Sequence, residues 1–147
     1  MDEERMLALK QEGFHCSQIL IIMGLELQGK SNPDLVASMH GLAGGLGFVG
    51  ELCGALSGGA CLLGLYAGKR NPQEQENPVL RFMIEELVTW FKEEYGVPFG
   101  GIRCEEILAG DSRNQLTRCP MVVAGVFHKV KELLIDNGFE LFGTMDE

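Results

Sequence analysis

A chain of 147 residues with 46% hydrophobic, 7% aromatic and 22% charged content can bury one real core, which excludes a disordered tail protein and argues against two separate domains. Twelve Lys plus Arg against twenty-one Asp plus Glu give a formal charge of -9, which repels phosphate backbones and anionic lipid headgroups, so no nucleic-acid partner is expected. Five Cys and twenty Gly are the abnormal features, and function has to account for both.

Apolar residues recur at helical spacing, and no window alternates apolar and polar residues between hairpin turns. The pattern predicts an all-α fold: one domain over residues 1–147, a compact bundle of about six helices around a glycine-rich central one. The first ten residues, MDEERMLALK, carry acids where a secretory leader needs a basic start, so a cytoplasmic location is expected. In a reducing cytosol, cysteines serve as thiols, metal ligands or redox pairs rather than permanent staples.

A first helix is predicted from about Asp2 to Glu12, ended by Gly13 as a left-handed cap. A second covers about Ser17 to Leu27 and buries Ile19, Leu20, Ile22, Met23 and Leu27. Pro33 suits the first position of a third helix capped by Asn32, fading near Gly44–Gly45. The fourth, about Glu51 to Ala67, is apolar almost all round, which places it at the centre of the bundle. Between Gly41 and Gly68 the only acid or base is Glu51, yet ten of these 28 residues are Gly and no basic flank or aromatic belt frames them. Buried core, not a membrane span, is expected.

Residues 68–78 are polar, contain two prolines and form a loop. A fifth helix follows from about Val79 to Tyr95, with Leu80, Met83, Leu87 and Phe91 on one stripe, and Gly96 to Gly101 with Pro98 breaks it. A short helix carries Cys104 through Leu108, and Gly110-Asp111 opens a polar loop. The last long helix starts near Thr117 with Pro120 in its first turn, buries Val122, Val126, Val130 and Leu133, and ends at Gly138. Residues 143–147 read as a frayed tail.

The cysteines at 16, 53, 61, 104 and 119 include no Cys-x-x-Cys, so a local dithiol, zinc knuckle or ferredoxin cluster motif is excluded. Any site must be assembled from several helices. Cys16 just before a helix and Cys119 in a first turn stand where free backbone N–H groups lower a thiol's pKa. Cys61, inside ACLLGL, is expected to pack. Gly50, Gly54 and Gly58 recur every four residues, so something approaches that backbone closely. Tight helix–helix contact is favoured over a cofactor lying against Gly54 and Gly58.

The run Cys53-Gly54-Ala55-x-x-Gly58 resembles the central motif of the C_GCAxxG_C_C family. Gly13-Phe14-His15-Cys16-Ser17-Gln18 looks like its leading cysteine segment and Ala43-Gly44-Gly45-Leu46-Gly47 like its glycine-rich approach. Ile102-Arg103-Cys104-Glu105-Glu106-Ile107-Leu108 looks like its third cysteine segment, and Cys119 is the fourth. The resemblance implies a small helical protein, redox-active through Cys16, Cys53, Cys104 and Cys119, of a kind often encoded near transporter genes. His15 stands where Asn is more usual.

The other candidates have ordinary readings beside the chemical ones. Glu51 is a helix cap or a proton acceptor for Cys53, and Arg103 an ion-pair partner or a stabiliser of the Cys104 thiolate. His40 and His128 stand on helix faces without partner motifs. No GxSxG elbow, HExxH or phosphate loop is present. The preferred reading is a cytoplasmic redox protein whose four cysteines form dithiol/disulfide couples. The same four could instead ligate an iron–sulfur cluster or zinc. The alternatives are a non-catalytic helical interaction module, with a homodimer as one form of it, whose glycine face packs on a partner, or a metal carrier associated with a transport system.

Overall fold

The computed structural model describes residues 2–142, and among them the fold is all-α. The helices are α1 (Asp2–Gln11), α2 (Cys16–Leu27), α3 (Pro33–Met39), α4 (Gly54–Ala67), α5 (Val79–Phe91), α6 (Val97–Phe99), α7 (Cys104–Leu108) and α8 (Arg118–Asp136). The frayed tail predicted for 143–147 lies outside the described residues. No helix among them is long and apolar enough to cross a membrane.

Several boundaries follow from single residues. Gly13 ends α1 at φ +100° and Gly138 follows α8 at φ +88°, a backbone region that a Cβ disfavours. The Asn32 side chain accepts from the Leu35 N–H at 3.1 Å, with Pro33 fixing the first turn of α3. In α2 the Gln18 side chain accepts from the His15 N–H at 3.1 Å, closing the N-terminus from within.

α4 packs against α2, α5 and α8, and Leu20, Leu62, Leu63, Met83, Leu87, Phe91, Val126 and Val130 fill the centre. Gly58 lies so close to α2 that a Cβ would stand 3.0 Å from Ser17 Cα, and one on Gly59 would stand 2.6 Å from Val126 Cγ1 of α8. Close helix contact thus accounts for both glycines. The glycine face that an interaction module would present is covered by the chain's own helices. Cys61 corrects its expectation, because it falls on the exposed side of α4.

α5 does not break at Gly96. It widens into a π-helical turn over Lys92–Gly96 and runs on through α6, where Pro98 is tolerated in the first turn, until Gly100 at φ +85° stops it. The turn packs Tyr95 against Trp90, Phe91 and Phe99, and Gly125 of α8 leaves room for the Tyr95 hydroxyl. α1 is held by Met6 and Leu9 beneath it, by the Arg5–Glu26 ion pair to α2 and by Lys131–Asp2 to α8.

Candidate functional site

Four helix starts carry cysteines. Cys16 and Cys104 are the first residues of α2 and α7, Cys119 is the second of α8, and Cys53 is the residue on which α4 begins. All four line one cavity of about 340 Å³. Residues 15 to 103 positions apart in the chain are thereby brought to one place, as the absence of any local cysteine motif requires.

The segment before α4 explains how. α3 stops at Met39, earlier than the sequence implies, and a 3-10 turn at His40–Leu42 follows. Gly44, Gly45, Leu46, Gly47 and Phe48 then all have positive φ, between 62° and 77°. This run of left-handed φ is one that glycine adopts freely and that costs an L-residue roughly 1–2 kcal/mol. The run explains this glycine cluster, and it places Gly50, at φ +92°, in the loop and not on a helix face with Gly54.

Beyond it the chain pairs with the segment before α7. The Cys53 N–H donates to the Ile102 carbonyl at 3.0 Å and the Cys104 N–H to the Glu51 carbonyl at 2.6 Å, around an isolated antiparallel bridge between Leu52 and Arg103. Glu51 therefore lies outside α4 and does not cap it. Its carboxylate takes Arg103 at 3.2 Å, and Arg103 also reaches Glu105 at 3.3 Å. Arg103 is an ion-pair partner of acids.

Cys16 comes from the other side. A Cβ on Gly54 would stand 2.6 Å from Cys16 Sγ and 3.0 Å from the Leu42 carbonyl oxygen, so this glycine is what lets the Cys16 thiol lie against the start of α4. Gly54 also lines the cavity, whereas Gly58 is turned to Ser17. An ionised Cys16 would raise the pKa of Cys53, Cys104 and Cys119 alike.

The expected activation at helix starts is overturned. Burial pushes the Cys53 thiol up to about 12 and Cys119 up to about 11, and it raises Cys16 and Cys104 as well. Backbone N–H groups of Ala55 and Leu56 at Cys53, and of Gly44 and Ser17 at Cys16, pull the other way. Loss of water around a thiolate outweighs these donors, so the thiols rest protonated.

At the cavity wall the His15 ring stacks on His40 with centroids 5.0 Å apart, and the Phe48 ring meets His15 edge-on at 5.0 Å. Desolvation, then the neighbouring His40, lowers the pKa of His15. His128 meets Glu3 at 3.3 Å. Both His40 and His128 thus gain partners that their local sequence does not show. Sequence reasoning also missed Lys10, which lines the cavity and donates to the Gln115 carbonyl at 3.1 Å. Its partner stands 105 positions away and no local spacing marks it. Among the described residues no group of three or more His, Cys, Asp or Glu side chains is arranged to hold a metal ion.

Cysteines at four helix starts around an apolar cavity define a small helical protein whose buried Cys53 and half-buried Cys16, Cys104 and Cys119 share one space. The chain belongs to the C_GCAxxG_C_C family, described as "Putative redox-active protein (C_GCAxxG_C_C)", whose model matches residues 14–133. No curated protein and no solved structure matches the chain.

Proposed function

We propose that the protein is a cytoplasmic thiol oxidoreductase or electron carrier in which Cys16, Cys53, Cys104 and Cys119 cycle between dithiol and disulfide. The observation that carries this reading is the shared cavity: thiols from α2, α4, α7 and α8 line one space while Cys61 stands outside it. Cys16, whose thiol lies against the start of α4 and lines the same cavity as the other three, is assigned the attacking role in this reading. Protonated resting thiols fit a protein that guards its reducing equivalents until a substrate enters, because only the thiolate attacks.

The test is a thiol count on anaerobically purified protein with metal analysis, before and after diamide. Loss of free thiols with an intramolecular bond mapped among the four positions by mass spectrometry supports the reading. Five thiols that stay free after diamide, or a bound metal that accounts for them, overturns it. The four single Cys→Ser variants locate the bond.

A further inference from the structure

The cavity walls come from Met6, Ile19, Ile107 and Val122, and among the lining residues Lys10 is the cation. A volume of about 340 Å³ falls within the range of small-molecule sites. Lys10 reaches from α1 to the Gln115 carbonyl, so its ammonium bridges the first helix and the turn before α8. From there its field lowers the pKa of Cys16, Cys119 and His15. The other groups facing these thiols are neutral or engaged. His15 is stacked on His40, Glu3 is turned to His128, Glu105 beside Cys104 is paired with Arg103, and Cys53 and Cys104 are thiols.

Resting on the dithiol reading, we propose that this cavity binds a small, uncharged, apolar disulfide, and that Lys10 receives the negative charge which exchange releases. Apolar walls penalise a charged ligand, and a chain of net charge -9 repels anionic disulfides such as oxidised glutathione. Exchange itself needs only thiols and a place for the departing charge.

The Cys16 thiolate attacks one substrate sulfur, forming a mixed disulfide as the substrate S–S bond breaks and its electron pair leaves on the second sulfur beside Lys10. A second cavity thiolate then attacks Cys16, closing the protein disulfide and releasing the remaining substrate sulfur. Two protein thiols are oxidised and one disulfide is reduced to two thiols. The two protons end on the product.

The reduced full chain is mixed with lipoamide, a neutral cyclic disulfide on an aliphatic chain, or with glutathione disulfide, and protein oxidation is followed by quenched alkylation. Rates are divided by those of dithiothreitol with the same oxidants, which removes the intrinsic reactivity of the ring. The expected result is a normalised preference of about tenfold or more for lipoamide, and slowing by octanamide, an unreactive apolar competitor. Lys10→Gln should slow exchange near neutral pH and move its pH profile upward, and Lys10→Arg should restore the profile. Equal normalised rates, no competition by octanamide, or a Lys10→Gln profile identical to that of the unaltered chain would each overturn the proposal. If diamide closes a disulfide but lipoamide is not preferred, the substrate class fails alone. If diamide closes none, the dithiol reading falls with it.

Discussion

The Cys16 thiol occupies the place a side chain on Gly54 would fill, 2.6 Å from the Cβ position, with the Leu42 carbonyl at 3.0 Å behind it. The central glycine of the family motif is therefore a seat for the leading cysteine of another helix. Gly54→Ala should displace Cys16 and cost about 1–3 kcal/mol of stability, read by urea unfolding, despite alanine's better helix propensity. The same variant should slow formation of any disulfide that uses Cys16, measured after diamide by quenched alkylation.

The glycines of α4 are not equivalent. A Cβ on Gly58 would press on the Ser17 backbone at 3.0 Å, whereas nothing lies within 4 Å of one on Gly64. Gly58→Ala is expected to lower stability by about 1–3 kcal/mol and Gly64→Ala to raise it by about 0.5–1 kcal/mol. Opposite shifts in thermal midpoint check the pair, and shifts of the same sign would contradict the packing given for Gly58.

Burial holds the four cavity thiols above the ordinary thiol pKa, with Cys53 up to about 12 and Cys119 up to about 11. A folded pKa above the unfolded value means that the stabilisation is complete below about 9 and is lost as pH rises toward 11 to 12. The thermal midpoint should fall through that alkaline window, and Cys53→Ala should flatten the fall. With iodoacetamide near pH 8, Cys61 on the open side of α4 should be labelled before the other four, as peptide mapping would show.

His15 gives the opposite dependence. Its pKa is lowered by desolvation and then by His40, so the unfolded chain binds the proton more readily and stability declines as pH falls through about 6.5. His15→Asn keeps a good helix-capping residue and removes the titration. Its unfolding free energy should change less between pH 7 and 5 than that of the unaltered chain, in paired urea titrations.

The parts of this fold that were legible in the sequence are those decided within one turn of chain. Gly13, Asn32, Pro33 and Gly138 act through local φ and local hydrogen bonds, and they mark helix ends as expected. The apolar stripe of α5 predicts burial of Met83, Leu87 and Phe91 correctly for the same reason. Long-range packing decides the rest. Whether Cys61 packs depends on which side of α4 its neighbours leave open. The π-helical turn before Pro98 is chosen by the aromatic contacts of Tyr95 and the space beside Gly125, which no periodicity encodes. Thiol acidity failed as a prediction because helix starts are visible in a sequence while the loss of water around them is not. Lys10 was invisible because its role depends on a carbonyl at the far end of the chain.

The bridge between Leu52 and Arg103 also sets an order of events during synthesis. Until residues 102–105 have left the ribosome, the backbone groups of Glu51 and Cys53 lack their partners, and α8 with Cys119 is still to come. Cys16 and Cys53 thus exist first without the walls that later suppress their ionisation. A nascent chain released into an oxidising environment would be open to premature crosslinking between these two sulfurs, and completion of the C-terminal helix is the step that closes that vulnerability.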